Sequence, residues 1–126
     1  MAIVKNVHRD GRPFPMGNTE SRVIIHPQDG AKHITFNYVR LPPYAEFPQH
    51  IHDQSEDVFF VLEGSGWLKQ GDKLTPIGPG DVVFVPAGEQ HGTVAGPDGM
   101  VVISCQGPPD LKLYTGERDP TRRRHH

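Results

Sequence analysis

Apolar residues in this chain come in short runs cut by glycine and proline, and the spacing of those runs predicts strands rather than helices. Residues 22–26 (Arg-Val-Ile-Ile-His) read as a strand closed by the turn Pro27-Gln28-Asp29-Gly30. Residues 33–41 alternate apolar and polar, read as the returning strand, and stop at Pro42-Pro43. A segment carrying His50 and His52 leads through acidic residues into the apolar run 58–62. Gly64-Ser65-Gly66 reads as a turn into residues 67–70, and Gly71-Asp72 as a tight turn into residues 73–75. Pro79-Gly80 precedes the apolar run 82–85, Pro86-Ala87-Gly88 forms the next corner, and Thr93-Val94 continues from His91. Gly96-Pro97-Asp98-Gly99 reads as a turn into residues 100–105, and a short helix is expected at 111–114. Strands of this length and spacing predict an all-β sandwich or barrel. Runs 58–62 and 82–85 are apolar on both faces, which suits packed sheets or a face covered by a second copy of the chain.

Composition narrows the class. The chain has 126 residues, enough for one domain with a real core, and its 14 glycines and 13 prolines are too many for a helical bundle. Residues 1–20 read as an N-terminal arm, 21–108 as the barrel and 109–126 as a C-terminal tail. A net charge of −2 gives no reason to expect a nucleic-acid partner. The basic run Arg122-Arg123-Arg124, followed by His125 and His126, reads as a solvated terminus. No apolar stretch approaches the roughly 20 residues of a membrane span, and no signal-peptide pattern opens the chain. The single cysteine, Cys105, excludes an internal disulfide and lies in an apolar strand pattern, as expected of an inert thiol in a reducing cytoplasm.

The candidate chemistry lies in His50-Ile51-His52. Side chains alternate faces along extended backbone, so both imidazoles point the same way and can hold one ion. Acids at Glu56 and Asp57 follow, and His91 arrives after the Pro86-Ala87-Gly88 corner. Imidazole with carboxylate suits a borderline divalent metal: iron, manganese, zinc or nickel. His8, His26 and His33 lie in the arm or at strand ends, where surface or turn roles are expected.

These two segments resemble the paired motifs of the cupins. His50, His52, an acid at Glu56 or Asp57, and Gly64 match the first motif, which lacks its leading glycine here. Gly80, Pro86, Gly88 and His91 match the second, with Ala95 in place of its asparagine. The resemblance covers roughly residues 20–108 and implies a jelly-roll β-barrel (a double-stranded β-helix) with a metal in its mouth. Counting back from Gly64 favours Asp57 as the acidic ligand, and counting forward from His52 gives Glu56, which is otherwise the nearest general base. Phe36, Asn37, Tyr38, Phe47, Gln49 and Gln106 flank strands expected to line the barrel mouth as a pocket of mixed polarity. The expected protein is a cytoplasmic homodimer that uses its metal on a small polar organic substrate, with oxygenation, isomerisation, decarboxylation and lyase chemistry all compatible. A small-molecule-binding or sensor barrel without turnover is the alternative.

Overall fold

The computed structural model describes residues 1–121. Eight strands form in chain order: β1 (Arg12–Pro13), β2 (Glu20–Ile25), β3 (Thr35–Leu41), β4 (Glu46–His50), β5 (Glu56–Gln70), β6 (Lys73–Ile77), β7 (Val82–Val85) and β8 (His91–Gly107). Two single 3₁₀ turns, Pro27–Asp29 and Leu111–Leu113, are the helical elements among the described residues. Every strand pair is antiparallel, in the order β1-β2-β3-β8-β5-β6, with β4 also on β8 and β7 also on β5. This is the all-β double-stranded β-helix expected from the sequence.

Two expected turns are absent. Gly64-Ser65-Gly66 lies inside β5, and Gly96-Pro97-Asp98-Gly99 lies inside β8. The glycines serve close strand approach instead. The β5–β8 register slips between Val61 and Glu63 and again between Gly64 and Gly66. A Cβ added at Gly64 would land on the Gly99 carbonyl, and one at Gly66 on the Val94 carbonyl. Gly64 also has φ of 71°, so the long strand bends there without ending.

Alternation sets the inner face. Asp57, Phe59 and Val61 are buried, while Glu56, Val58 and Leu62 are exposed. On β3, Thr35, Asn37, Val39 and Leu41 point inward. The main core joins Val39, Leu41, Phe59, Val61, Val85 and Val102. A second cluster forms where the N-terminal arm meets the tail. Phe14, Met16, Val23 and Leu113 pack there with Phe47 and Tyr114 alongside, and Met16 is 0 % exposed. The arm is therefore seated against the barrel by its apolar residues and by β1, although its sequence reads as irregular. Gly17 N–H donates to Asp119 Oδ2 at 3.0 Å, tying arm to tail.

On the outer face Val58 pairs with Phe84 and Phe60 with Val82. Val58, Leu62, Val82 and Phe84 are exposed, so the outer side of the two apolar runs is uncovered among the described residues. No helix among the described residues is long and apolar enough to cross a membrane. Arg122, Arg123, Arg124, His125 and His126 lie outside the described residues.

Candidate metal centre

Strand register brings the histidines together. His50, the last residue of β4, is the direct cross-strand partner of His91, the first of β8. His52 lies just beyond β4, yet the alternation persists: His50 is 7 % and His52 1 % exposed, and Ile51 between them is 41 % exposed. The Gly88 N–H donates to the His52 carbonyl at 2.8 Å, so the Pro86-Ala87-Gly88 corner anchors the backbone that carries His52. One nitrogen of each of His50, His52 and His91 lies within 4.8 Å of the others.

The tautomers follow from the partners. His50 Nδ1 is 2.8 Å from the Pro48 carbonyl, and His91 Nδ1 is 3.2 Å from the Glu89 carbonyl. His52 Nδ1 is 2.7 Å from Asp110 Oδ2. These oxygens accept hydrogen bonds, so each Nδ1 carries a proton, and in the neutral ring Nε2 presents a lone pair. His50 Nε2 and His52 Nε2 then face each other at 3.0 Å, and His91 Nε2 faces Asp57 Oδ2 at 3.3 Å. With neutral rings acceptor meets acceptor in both contacts, and Asp57 Oδ1 is buried without a partner. A divalent cation satisfies this set, in which Gln106 Nε2 donates to His52 Nε2 at 2.9 Å while Asp57 Oδ1 has no partner. The donor set therefore fits a metal.

Electrostatics agree. Burial, then the neighbouring imidazoles of His91 and His52, lowers the His50 pKa to about 3. Burial also lowers that of His52, against the opposing bond from Asp110. Asp110 is raised by burial, but the bonds from Arg118 and His52 outweigh this and hold it below the usual carboxylate range. The imidazoles of His50 and His52 are thus held neutral, the form that binds a metal.

The remaining candidates separate clearly. Glu56 is exposed, on the face of β5 opposite Asp57, so it is not placed to act as a base in the barrel. The pleat decides this, since a one-residue step changes faces. A cavity of about 40 Å³ adjoins the histidines and is lined by Asn37 and Phe47, together with Phe14, Val39, Phe59, Val102, Ser104 and Leu113. Its wall is mainly apolar rather than mixed. Gln106 is 1 % exposed, and its Nε2 donates to His52 Nε2 at 2.9 Å rather than lining the cavity. Phe36 and Tyr38 are on the outer face of β3, where the Arg22 guanidinium lies 4.8 Å from the Tyr38 ring. Gln49 points to the β5–β6 turn, where it bonds the Gly71 N–H at 2.7 Å and carbonyl at 3.1 Å. The even spacing of β3 places only alternate residues inside, which excludes Phe36 and Tyr38 once Asn37 faces in.

Residues the sequence did not point to complete the site. Ser104 Oγ accepts from Asn37 Nδ2 at 3.0 Å. Tyr114 Oη is 2.8 Å from Asn37 Oδ1 and 2.6 Å from Thr35 Oγ1. A carbonyl oxygen only accepts, so Tyr114 donates to Asn37 and takes the Thr35 hydroxyl proton as acceptor. Burial raises the Tyr114 pKa to about 12, keeping it a donor. Phe14 and Leu113 close the cavity from the arm and the tail. Asp110 follows Pro108-Pro109 at the head of a 3₁₀ turn, a pattern that signals a cap and nothing about His52.

Comparison with known proteins agrees with this geometry. Residues 37–105 match the family model described as Cupin domain. An oxalate-binding protein of Thermotoga maritima is 34 % identical over 56 residues, 44 % of this chain and 46 % of that protein. Dimethylsulfoniopropionate lyase DddQ of Ruegeria pomeroyi is 38 % identical over 56 residues, 44 % of this chain and 27 % of that protein. The chain thus covers less than half the length of these two curated relatives. The structure of the polyketide cyclase RemF from Streptomyces resistomycificus is similar with a TM-score of 0.68 and 32 % identity, over 85 % of this chain and 83 % of that one. With its family-model match spanning more than half its length and the paired histidine motifs facing each other across the barrel, the chain belongs to the cupin family.

Proposed function

We propose that this chain is a metal-dependent cupin enzyme that removes a proton next to a carbonyl group on a substrate with an apolar, aromatic body. The observation that carries the reading is the cluster of three histidine nitrogens and the Asp57 carboxylate beside an apolar cavity. His50, His52 and His91 would hold the ion, with Asp57 Oδ2 as the acidic ligand on the His91 side. Such an ion, iron, manganese, zinc or nickel, would supply Lewis-acid polarisation of a carbonyl oxygen when bound.

The chain's own residues supply the rest. Asp57 Oδ1, buried and without a partner, takes the proton as the adjacent C–H bond breaks and its electron pair moves toward the carbonyl oxygen. Ser104, held by Asn37 and through it by Tyr114, retains its hydroxyl proton for that oxygen. Phe14, Phe47 and Phe59 pack against a flat carbon skeleton and exclude water. The likeness to a polyketide cyclase, at 32 % identity, supports carbonyl chemistry on such a skeleton. The cavity of about 40 Å³ has room for an ion and a few waters, so Phe14 and Leu113 must move to admit an organic molecule. That tightness also favours a second reading, a binding barrel without turnover.

Exchange of the methyl protons of aryl methyl ketones and aryl 1,3-diketones in D₂O, followed by NMR, tests the proposal. Exchange above background that needs both metal and Asp57 supports it. Metal-dependent binding with no exchange across the panel favours the binding barrel, and neither binding nor exchange contradicts both.

A further inference from the structure

We infer that Asp110, brought in by the segment after β8, is a positioning residue that makes His52 competent to bind metal. The inference rests on reading His50, His52 and His91 as metal ligands. Its support is the asymmetry of the outer partners. His50 and His91 donate from Nδ1 to main-chain carbonyls only two residues away, at Pro48 and Glu89. His52 lies beyond the end of β4 and gives its proton to a carboxylate 58 residues away, at 2.7 Å.

Asp110 is itself held on every side. Arg118 Nε donates to Oδ2 at 2.9 Å, and the Lys112 N–H donates to Oδ1 at 3.2 Å. Its own N–H donates to Gln106 Oε1 at 3.2 Å, and Gln106 Nε2 reaches His52 Nε2 at 2.9 Å. The Asp110 side chain is 9 % exposed and therefore little screened by water. It thus grips the imidazole directly through Nδ1 and indirectly, by way of Gln106, near Nε2. A charged acceptor on Nδ1–H fixes the ring plane and tautomer and makes Nε2 a stronger donor to a metal than a carbonyl partner does. When an ion takes the Nε2 lone pair, Gln106 loses its acceptor there and Asp110 alone orients the ring.

The role is separable from simple ordering of the tail. Asp119 anchors the same segment by accepting from the Gly17 N–H at 3.0 Å, and Arg118 also reaches the exposed Asp53 at 3.3 Å. The test compares Asp110→Asn, Asp119→Ala and Asp53→Asn with the unsubstituted protein. Zinc affinity is measured by competition with a chromophoric chelator, and the absorption spectrum of the cobalt-substituted form reports ligand geometry. Asp110→Asn is expected to weaken zinc by about 10–100-fold and to change the cobalt spectrum. Asp119→Ala and Asp53→Asn are expected to stay within about threefold, with the spectrum unchanged. Zinc affinity within about twofold of the parent in Asp110→Asn, or an equal loss in Asp119→Ala, overturns the inference while leaving the three-histidine reading intact. An unsubstituted protein that binds no zinc or cobalt overturns that reading, and this inference with it.

Discussion

Replacing Asp57 by asparagine is expected to stabilise the metal-free protein and to weaken its hold on metal. The side chain is 11 % exposed, its Oδ1 has no partner, and its Oδ2 faces His91 Nε2 at 3.3 Å. Because His91 Nδ1 faces the Glu89 carbonyl, both atoms of the Asp57–His91 contact are acceptors when the imidazole is neutral. Asparagine removes the charge and can place Nδ2–H where Oδ2 stood, turning that contact into a hydrogen bond. Relieving one buried, unsatisfied acceptor is worth about 1–3 kcal/mol. For a domain of this size 1 kcal/mol corresponds to about 4 °C in Tm, so the metal-free variant should melt roughly 4–12 °C higher. Metal affinity should fall by about tenfold or more, the size of effect seen on removing even an outer-shell partner. Calorimetry on EDTA-treated protein at pH 8, where imidazole is ordinarily neutral, gives the first number, and chelator competition gives the second. A lower Tm for the metal-free variant would refute the acceptor–acceptor assignment. A larger affinity loss in Glu56→Gln than in Asp57→Asn would refute the register of β5.

Four further outcomes are expected. His91→Ala should abolish metal binding in equilibrium dialysis, whereas His26→Ala and His33→Ala leave it nearly intact, because His26 caps the Pro27–Asp29 turn and His33 is exposed in the loop before β3. Metal-free stability should fall with acidification: the unfolded His50 takes a proton near pH 6.5 and the folded one only near about 3, so its contribution is complete above about 6.5 and is lost on descending toward 3. Between pH 6.5 and 5 this group alone should cost about 2 kcal/mol in urea melts, and His50→Gln should lack that part of the loss. Gly66→Ala should destabilise by about 1–3 kcal/mol or more in chemical denaturation, since its Cβ meets the Val94 carbonyl across β8. Light scattering should give twice the chain mass of 14.0 kDa, with Phe84→Glu shifting it toward a single chain, because Val58, Leu62, Val82 and Phe84 form an uncovered apolar face.

The strands and the three histidines were legible because both depend on short-range rules. Alternation put Asp57 and Glu56 on opposite faces of β5, and the Pro86-Ala87-Gly88 corner delivered His91 to the start of β8. Glycine misled where its purpose was tertiary. Gly64 and Gly66 look like a turn locally, but they are small because β8 passes directly over them. The pocket was less legible for a related reason. Phe36 and Tyr38 are as apolar as Val39, and only the register of β3 shows that Asn37 and Val39 face the cavity. Phe14, Leu113 and Asp110 reach the site from chain ends across long separations, and nothing in their local sequence encodes that contact.

Metal content per chain tests the central claim most directly. Elemental analysis of the purified protein, joined to thermal melts with added zinc, iron, manganese or nickel, should find about one transition-metal ion per chain. Returning the ion to stripped protein at 100 times its dissociation constant should raise stability by about 2.7 kcal/mol, and replacing His50, His52 and His91 together should remove both effects. A metal-free protein whose melting none of the four ions shifts would contradict the account.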